Sequence, residues 1–441
     1  MSDTLNPVSA AFLSIEDVDP VNSLVIGSFA VLEGPAPSLA EVRRLVEQRL
    51  PLAPRYRQRV RRTVLDLRAP VWEDDPDFVL ARHVGRMSVP APGGDEEVAQ
   101  LIGRCMAARM HRDHPLWDVT VCTGLAGGRW GLLSRIHHAL ADGVSGTALL
   151  RVLFEIPEDA APPQVGLGAR PGSRWRRLAT GAVSAGRGGL ALGSAVVPVH
   201  GPSVSAAVGP ARHYAWATVP LASARDVRRD LGVTVNDVAL AAVSGGFRDL
   251  LAQRGHEPHP RSVRSLVPVS AWSGTTDEPD NHVTLMLADL PVHLEDPVAR
   301  VRAVHDLVGR LRRSGEPEAG VLAQQLLGAA PYAVVGAATR WVFRLPHHHL
   351  STVTTNVPGP RRRLSCLGRE VEQMLPYVPI ADRVPIGVAM FTYAGELTFG
   401  VTADRDVDDL GVLLDGITTA WWSLAGAPAG TKVPAPQDLR P

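Results

Sequence analysis

Lysine is almost missing from this 441-residue chain: of 45 basic side chains, the one lysine is Lys432, near the C-terminus, and the rest are arginine. That scarcity excludes a Gly-rich phosphate loop ending in Gly-Lys-Ser/Thr and a Schiff-base lysine for pyridoxal chemistry. Cysteine is scarce too. Cys105, Cys122 and Cys366 are odd in number and lack metal-ligand spacing, which argues against a disulfide framework and for a reducing, cytoplasmic setting. There is no net charge, with 45 acidic groups against 45 basic ones. A protein that grips nucleic-acid phosphates carries a basic excess, so no nucleic-acid partner is expected. No long apolar run occurs. The nearest candidate, Leu326 to Leu345, is interrupted by Pro331, Arg340 and Arg344, so no membrane span is expected. Met1 to Ser14 lacks a basic segment followed by an apolar run, and no secretion signal is expected there.

What is present suits a packed core: 45% of residues are hydrophobic and 20% charged. The length predicts two domains of comparable size. Ser38-Leu39-Ala40-Glu41 has the form of a capping box, with Val42, Leu45 and Val46 following at helical spacing. A second helix is expected from about Asp95 to Arg109, burying Val98, Leu101, Ile102, Cys105 and Met106. Trp117 to Thr123 and Trp130 to Ile136 read as short strands separated by Ala126-Gly127-Gly128, and Val144 to Phe154 reads as a helix. Residues 1–156 thus form an expected N-terminal domain.

Between residues 157 and 210 the composition shifts to Pro, Gly, Ala and Ser. Acidic residues cease after Asp159, while Arg170, Arg174, Arg176, Arg177 and Arg187 accumulate. This stretch reads either as an interdomain linker or as a basic segment resting on anionic lipid headgroups. Residues 211–441 form the expected C-terminal domain, again α/β. Thr234-Val235-Asn236-Asp237 marks a helix start, with Leu240, Val243, Phe247 and Leu250 as its apolar stripe. Arg264 to Val269 and Thr284 to Leu290 suit strands. Asp296-Pro297 opens a helix with Val301, Val304, Val308 and Leu311 inward. Val388 to Tyr393 and Glu396 to Thr402 flank Ala394-Gly395 as a hairpin, with Leu397, Phe399 and Val401 on one face.

Chemistry concentrates in Arg135-Ile136-His137-His138-Ala139-Leu140-Ala141-Asp142-Gly143, at a strand end that leads into a helix. A histidine titrating near neutrality can take a proton from a hydroxyl or thiol as that group attacks a carbonyl. An aspartate four residues on can fix the loop or orient the imidazole, and Gly143 permits a tight turn. Two buried, hydrogen-bonded structural histidines are the plainer alternative.

The segment resembles the HHxxxDG motif of the bacterial wax ester synthase/diacylglycerol acyltransferase family, within the CoA-dependent acyltransferase superfamily. Other pieces follow in family order along nearly the whole chain. Pro115-Leu116-Trp117 looks like the PLW segment, Asn236-Asp237-Val238-Ala239-Leu240-Ala241 like NDVxLA, and Pro268-Val269-Ser270, Asn281 and Leu290-Pro291 like the PVS…GN…LP block. Thr355-Asn356-Val357-Pro358-Gly359-Pro360 is similar to SNVPGP, and Tyr393 to Gly400 to the closing SYxGxLxFG hairpin. The chain departs from the pattern at Asp280, where a glycine is common, at Trp272, where an arginine is common, and at Thr355, where a serine stands.

The resemblance implies an α/β fold of two chloramphenicol-acetyltransferase-like domains, with mixed sheets flanked by helices and an active-site tunnel at their interface. It implies an O-acyltransferase that moves a long-chain acyl group from acyl-CoA to a lipophilic alcohol, with no cofactor besides acyl-CoA as co-substrate and no covalent intermediate. His138 is then the base that activates the alcohol, His137 assists placement or lines the acyl tunnel, and Asp142 with Gly143 holds the loop. Asn281, Asn356, Trp117 and Asn236 are the candidate substrate-binding residues, although Pro115-Leu116-Trp117 also suits packing and Asn236-Asp237 also suits a helix cap. Apolar products imply peripheral contact with the inner membrane or lipid droplets. A carrier-protein donor, a sugar or polyketide acceptor, and a non-catalytic lipid-binding paralogue are the alternatives. Other motifs fail: Gly143-Val144-Ser145-Gly146 is one residue short of a nucleophile elbow, His256-Glu257-Pro258-His259 is one short of HExxH, and His347-His348-His349 reads as loop. No metal site is expected.

Overall fold

The computed structural model describes residues 3–19, 21–63, 68–141, 147–156, 207–271, 282–313, 332, 336, 350–381 and 383–426. The chain runs through β1 (Asp3–Thr4), α1 (Pro7–Val18), β2 (Val25–Leu32), α2 (Leu39–Arg49), β3 (Gln58–Arg61), β4 (Val71–Asp74), β5 (Val84–Ser88), α3 (Asp95–Ala107), β6 (Trp117–Thr123), β7 (Trp130–His137), α4 (His138–Ala141) and α5 (Thr147–Leu153). It continues with β8 (Arg212–Pro220), α6 (Arg225–Leu231), α7 (Val235–Gln253), β9 (Arg264–Ala271), β10 (His282–Asp289), α8 (Pro297–Arg313), β11 (Thr352–Pro358), β12 (Ser365–Cys366), β13 (Arg369–Tyr377), β14 (Ile386–Tyr393), β15 (Glu396–Asp404) and α9 (Leu410–Ala425).

Two six-stranded mixed sheets carry the architecture. The first has the order β12-β13-β2-β7-β6-β5, the second β10-β9-β11-β14-β15-β8, and a small third sheet pairs β1, β4 and β3. The first sheet is apolar on both faces, as a central sheet must be. Along β2, Val25, Phe29 and Val31 join the core under α3, while Ala30 and Leu32 join the core under α1, α2 and α5. In the second sheet Leu397, Phe399, Val401 and Ala403 of β15 pack with Val388 and Met390 against α7, α8 and α9. The hairpin and its buried face are those expected from the alternation.

Local signals explain the helix starts. Ser38 and Glu41 form the expected capping box at α2, and Thr234 with Asp237 forms another at α7. At α1 Asn6 accepts a hydrogen bond from the Ser9 N–H at 2.7 Å, with Pro7 as the first helical residue, a helix not among those expected above. Of the expected buried face of α3, Val98, Leu101, Ile102 and Met106 are enclosed and Cys105 is half-buried.

The first sheet is not made from residues 1–156 alone. β13 pairs antiparallel with β2, from Val371 opposite Leu32 to Tyr377 opposite Gly27, and β12 extends it. A strand from the C-terminal part of the sequence therefore completes the N-terminal sheet. It also crosses the second sheet, where a side chain at Gly400 would strike the Pro376 carbonyl at 2.1 Å. Of the expected 157–210 linker, residues 157–206 lie outside the described residues, as do 144–146 of the expected helix from Val144 and the His347-His348-His349 trio.

Candidate active site

The site forms where β7 runs into α4. β7 lies between β2 and β6, and both neighbours pin the turn. The His137 N–H donates to the Leu116 carbonyl at 2.9 Å, and the His138 N–H donates to the Leu24 carbonyl at 2.9 Å. His137 then caps the short helix: its Nδ1 accepts from the Ala139 N–H at 3.0 Å. A ring nitrogen that accepts carries no proton, so the proton of this neutral imidazole sits on Nε2. Nε2 lies 3.1 Å from Oε1 of Glu16, both side chains being 1% exposed. The approach is off the line of a regular hydrogen bond, so the contact is chiefly electrostatic.

Glu16 comes from α1 and is saturated with donors. Oε1 also accepts from the Leu24 N–H at 2.8 Å, and Oε2 from Arg112 at 2.9 Å and Arg109 at 3.4 Å. Burial alone would raise the pKa of this carboxyl. His137, Leu24 and Arg112 outweigh it and hold the value down to about 2. One turn earlier on the same helix, Phe12 stacks on His138, with ring centroids 4.3 Å apart and planes 25° from parallel. The Nδ1 of His138 is enclosed, with no hydrogen-bond partner among the described residues. Burial, with the neighbouring His137, lowers the His138 pKa to about 4. His138 is therefore a neutral imidazole at neutral pH, the form that can accept a proton.

Trp117 occupies a different place from that expected of a substrate-binding residue. Its indole is 2% exposed in the core, donates to the Tyr56 carbonyl at 2.8 Å and stacks on His83 at 4.7 Å. Enclosed on these sides, it packs under the turn, and the segment it opens reaches the site through the Leu116 carbonyl. Arg135 is held by Asp118 at 2.6 and 2.9 Å, which ties β7 to β6.

Asn236 and Asn356 meet each other. The Asn356 side-chain amide donates to Asn236 Oδ1 at 2.9 Å, linking the first turn of α7 to β11. Beside them Asp237 accepts from the Thr234 N–H at 2.9 Å and faces His305 Nδ1 at 2.9 Å. The expected helix cap is thus real, and it uses Asp237 while leaving Asn236 to pair with Asn356. Neither asparagine contacts His137 or His138 among the described residues. Asp142, Gly143 and Asn281 lie outside the described residues. A cavity of about 420 Å³ lined by Arg59, Asp75, Asp77, Val79, Arg82, Asp113 and His114 does not include His138.

Glu16, Phe12 and Arg112 were not legible as site residues. No motif or spacing marks Ile15-Glu16-Asp17, and nothing local says that Glu16 faces a histidine 121 positions later. Only the pairing of β2 with β7, Val25 opposite His137, brings α1 over the turn.

The chain matches the family model of the wax ester synthase/diacylglycerol acyltransferase catalytic domain over residues 5–200, and that of the C-terminal domain of the same family over residues 280–424. It is 39% identical over 436 residues, 94% of each chain, to a Mycobacterium tuberculosis H37Rv protein named as a probable diacylglycerol O-acyltransferase. Among solved structures it is similar to the wax ester synthase/diacylglycerol acyltransferase from Marinobacter aquaeolei VT8, with a TM-score of 0.69 and 23% identity, covering 96% of this chain and 100% of that one. The first condensation domain of the calcium-dependent antibiotic synthetase shares the fold at a TM-score of 0.58 and 16% identity, with 97% of each chain covered. The two-domain acyltransferase architecture is therefore the expected one, and the chain belongs to the wax ester synthase/diacylglycerol acyltransferase family.

Proposed function

We propose that this protein transfers a long-chain acyl group from acyl-CoA to the hydroxyl of a lipid alcohol, with diacylglycerol as the acceptor before a fatty alcohol, giving triacylglycerol. The observation that carries this reading is His138: a neutral, half-buried imidazole with an enclosed Nδ1, at a strand-to-helix turn fixed from both sides. The preference for diacylglycerol rests on the relative that is 39% identical along nearly the full length. In the proposed mechanism His138 accepts the acceptor's hydroxyl proton through Nε2, since Nδ1 is enclosed. The oxygen attacks the thioester carbonyl, the tetrahedral adduct collapses with loss of the C–S bond, and the departing CoA thiolate takes the proton back. No covalent enzyme intermediate forms. The thioester is already activated, so the chemistry requires no cofactor beyond this co-substrate.

His137 holds the turn in this reading rather than lining an acyl tunnel, because its ring is occupied by Ala139 and Glu16. Asp142 and Gly143 are assigned to the loop beyond α4, and Asn281 with the Asn236–Asn356 pair to polar groups of the substrates, which meet in the tunnel expected between the two halves. The test is CoA release from palmitoyl-CoA with dioleoylglycerol, with hexadecanol and with neither, alongside His138→Ala. Release that needs dioleoylglycerol and drops at least 1,000-fold in the variant, with an unchanged melting temperature, is the expected result. Release by His138→Ala at the wild-type rate overturns the mechanism.

No helix among the described residues is long and apolar enough to cross a membrane. We place the protein in the cytoplasm with peripheral contact to the inner membrane or to lipid droplets, where acceptor and product reside, through the arginines of 170–187 and the apolar stretch 331–345. Liposome flotation should fall when Arg170, Arg174, Arg176, Arg177 and Arg187 become Gln, each arginine contributing on the order of 1 kcal/mol near an anionic surface. Unchanged flotation removes that stretch as the anchor.

A further inference from the structure

We propose that Glu16 is a positioning residue of the acyl-transfer site, acting on His138 through His137. The inference rests on His138 as the base and extends the site to a helix outside the HHxxxDG segment. Four contacts form a chain. Arg112 and Arg109 hold Glu16 Oε2 at 2.9 and 3.4 Å, Oε1 faces His137 Nε2 at 3.1 Å, and His137 Nδ1 receives the Ala139 N–H at 3.0 Å. A neutral imidazole has one donor and one acceptor. The carboxylate opposite Nε2 selects the tautomer with the proton there, which leaves Nδ1 free to accept and so closes the first turn of α4. His138 is the first residue of that turn, and its ring direction follows from the turn's backbone.

With the other tautomer, Nδ1–H would oppose the Ala139 N–H, two donors face to face, and the turn would open. The same helix fixes the ring directly: Phe12, four residues before Glu16 and so on the same side of α1, stacks on His138. The titratable and charged groups facing Glu16 are the imidazole of His137 from β7 and the guanidinium groups of Arg109 and Arg112 from the segment after α3, with Asp17 of α1 joined to Arg112 at 2.8 Å. This arrangement is that of a base oriented by a second group that is itself oriented by a third. Glu16 touches neither His138 nor any atom that reacts.

The test is Glu16→Gln in the full chain, read in two independent ways. Steady-state CoA release should show kcat reduced on the order of 10- to 100-fold, the cost of misplacing a catalytic group by a fraction of an ångström to an ångström, with KM for palmitoyl-CoA within twofold. Nitrogen-15 histidine spectra, with the His137 signals found by their loss in His137→Gln, should show Nε2 protonated and Nδ1 unprotonated in the wild type, and a mixture of tautomers in Glu16→Gln. A wild-type His137 protonated on Nδ1 overturns the proposal whether or not the variant folds. Unchanged kcat in a folded Glu16→Gln protein overturns it as well. If wild-type protein releases no CoA while the spectra change as expected, the acyl-transfer reading fails and the positioning geometry stands.

Discussion

His138 and Glu16 carry opposite chemistry on either side of His137, and the surroundings set both. His138 is kept neutral because its charged form would be desolvated beside another imidazole. Glu16 is kept ionised because four donors converge on it. Both pKa values are lowered, so both have the same sign of pH dependence. Unfolded His138 takes up its proton below about 6.5 and the folded residue only near 4; unfolded Glu16 does so below about 4.5 and the folded residue only near 2. In each window the unfolded state binds more protons, and stability is lost as the pH falls. The Glu16 shift alone corresponds to about 3 kcal/mol, present above pH 4.5 and gone below pH 2. Calorimetric melting temperatures should therefore be flat above pH 6.5 with respect to these two groups and decline below it. The acid limb of kcat/KM should lie well below the ordinary imidazole value, near pH 4 to 5. A limb at 6.5 would show that His138 is solvated in the working enzyme.

At the scale of elements, close approach rather than propensity decides the C-terminal half. α7 and α9 touch at Gly246 and Gly416: a Cβ on Gly246 would meet the Leu413 carbonyl at 2.5 Å and Ile417 N at 2.9 Å, and one on Gly416 would meet the Gly246 Cα at 2.8 Å. Alanine in mid-helix gains about 1 kcal/mol of propensity over glycine. Here it must also push two helix backbones apart, an overpacking cost of roughly 1–3 kcal/mol in a filled core. Gly246→Ala should thus show no net gain and a loss of up to about 2 kcal/mol in urea denaturation, whereas the half-buried Gly411 has open space for a Cβ and should show the propensity gain alone. A stabilised Gly246→Ala protein would mean that the helices can separate freely.

For the whole molecule the decisive feature is β13. It donates its backbone to β2 in the first sheet, buries Val371, Met374 and Leu375 in the two cores of the N-terminal half, and passes under the second sheet. Arg212 adds a second tie. Buried at the start of β8, it donates to the Val21 carbonyl at 3.1 Å and lies 3.7 Å from Asp404. Fragment 1–156 expressed alone would expose the edge of β2 and an open apolar face, a template for aggregation. It should be insoluble or unfolded by circular dichroism, and co-expression with fragment 211–441 should restore solubility. A fragment 1–156 that is monomeric and cooperatively folded would refute the role given to β13.

Short-range rules made much of this legible. The capping boxes at Ser38 and Thr234, the strands leading to His137, and the closing hairpin follow from side-chain spacing and cap chemistry within a few residues. The motif order pointed to the family, and the histidine pair to the turn where the proposed base stands. The spacing could not pair Asn236 with Asn356 or bring residues 369–377 into the first sheet. Nor could it set Glu16 against His137. Those outcomes depend on contacts between residues tens to hundreds of positions apart, selected when apolar faces are buried and backbone donors and acceptors must all find partners. The sequence by itself determined the helices with clear caps, the strands around the histidine pair and the closing hairpin, and where His137 and His138 stand. Tertiary structure alone decided which buried carboxylate faces His137, because a charge can be held away from water only where several distant donors converge upon it.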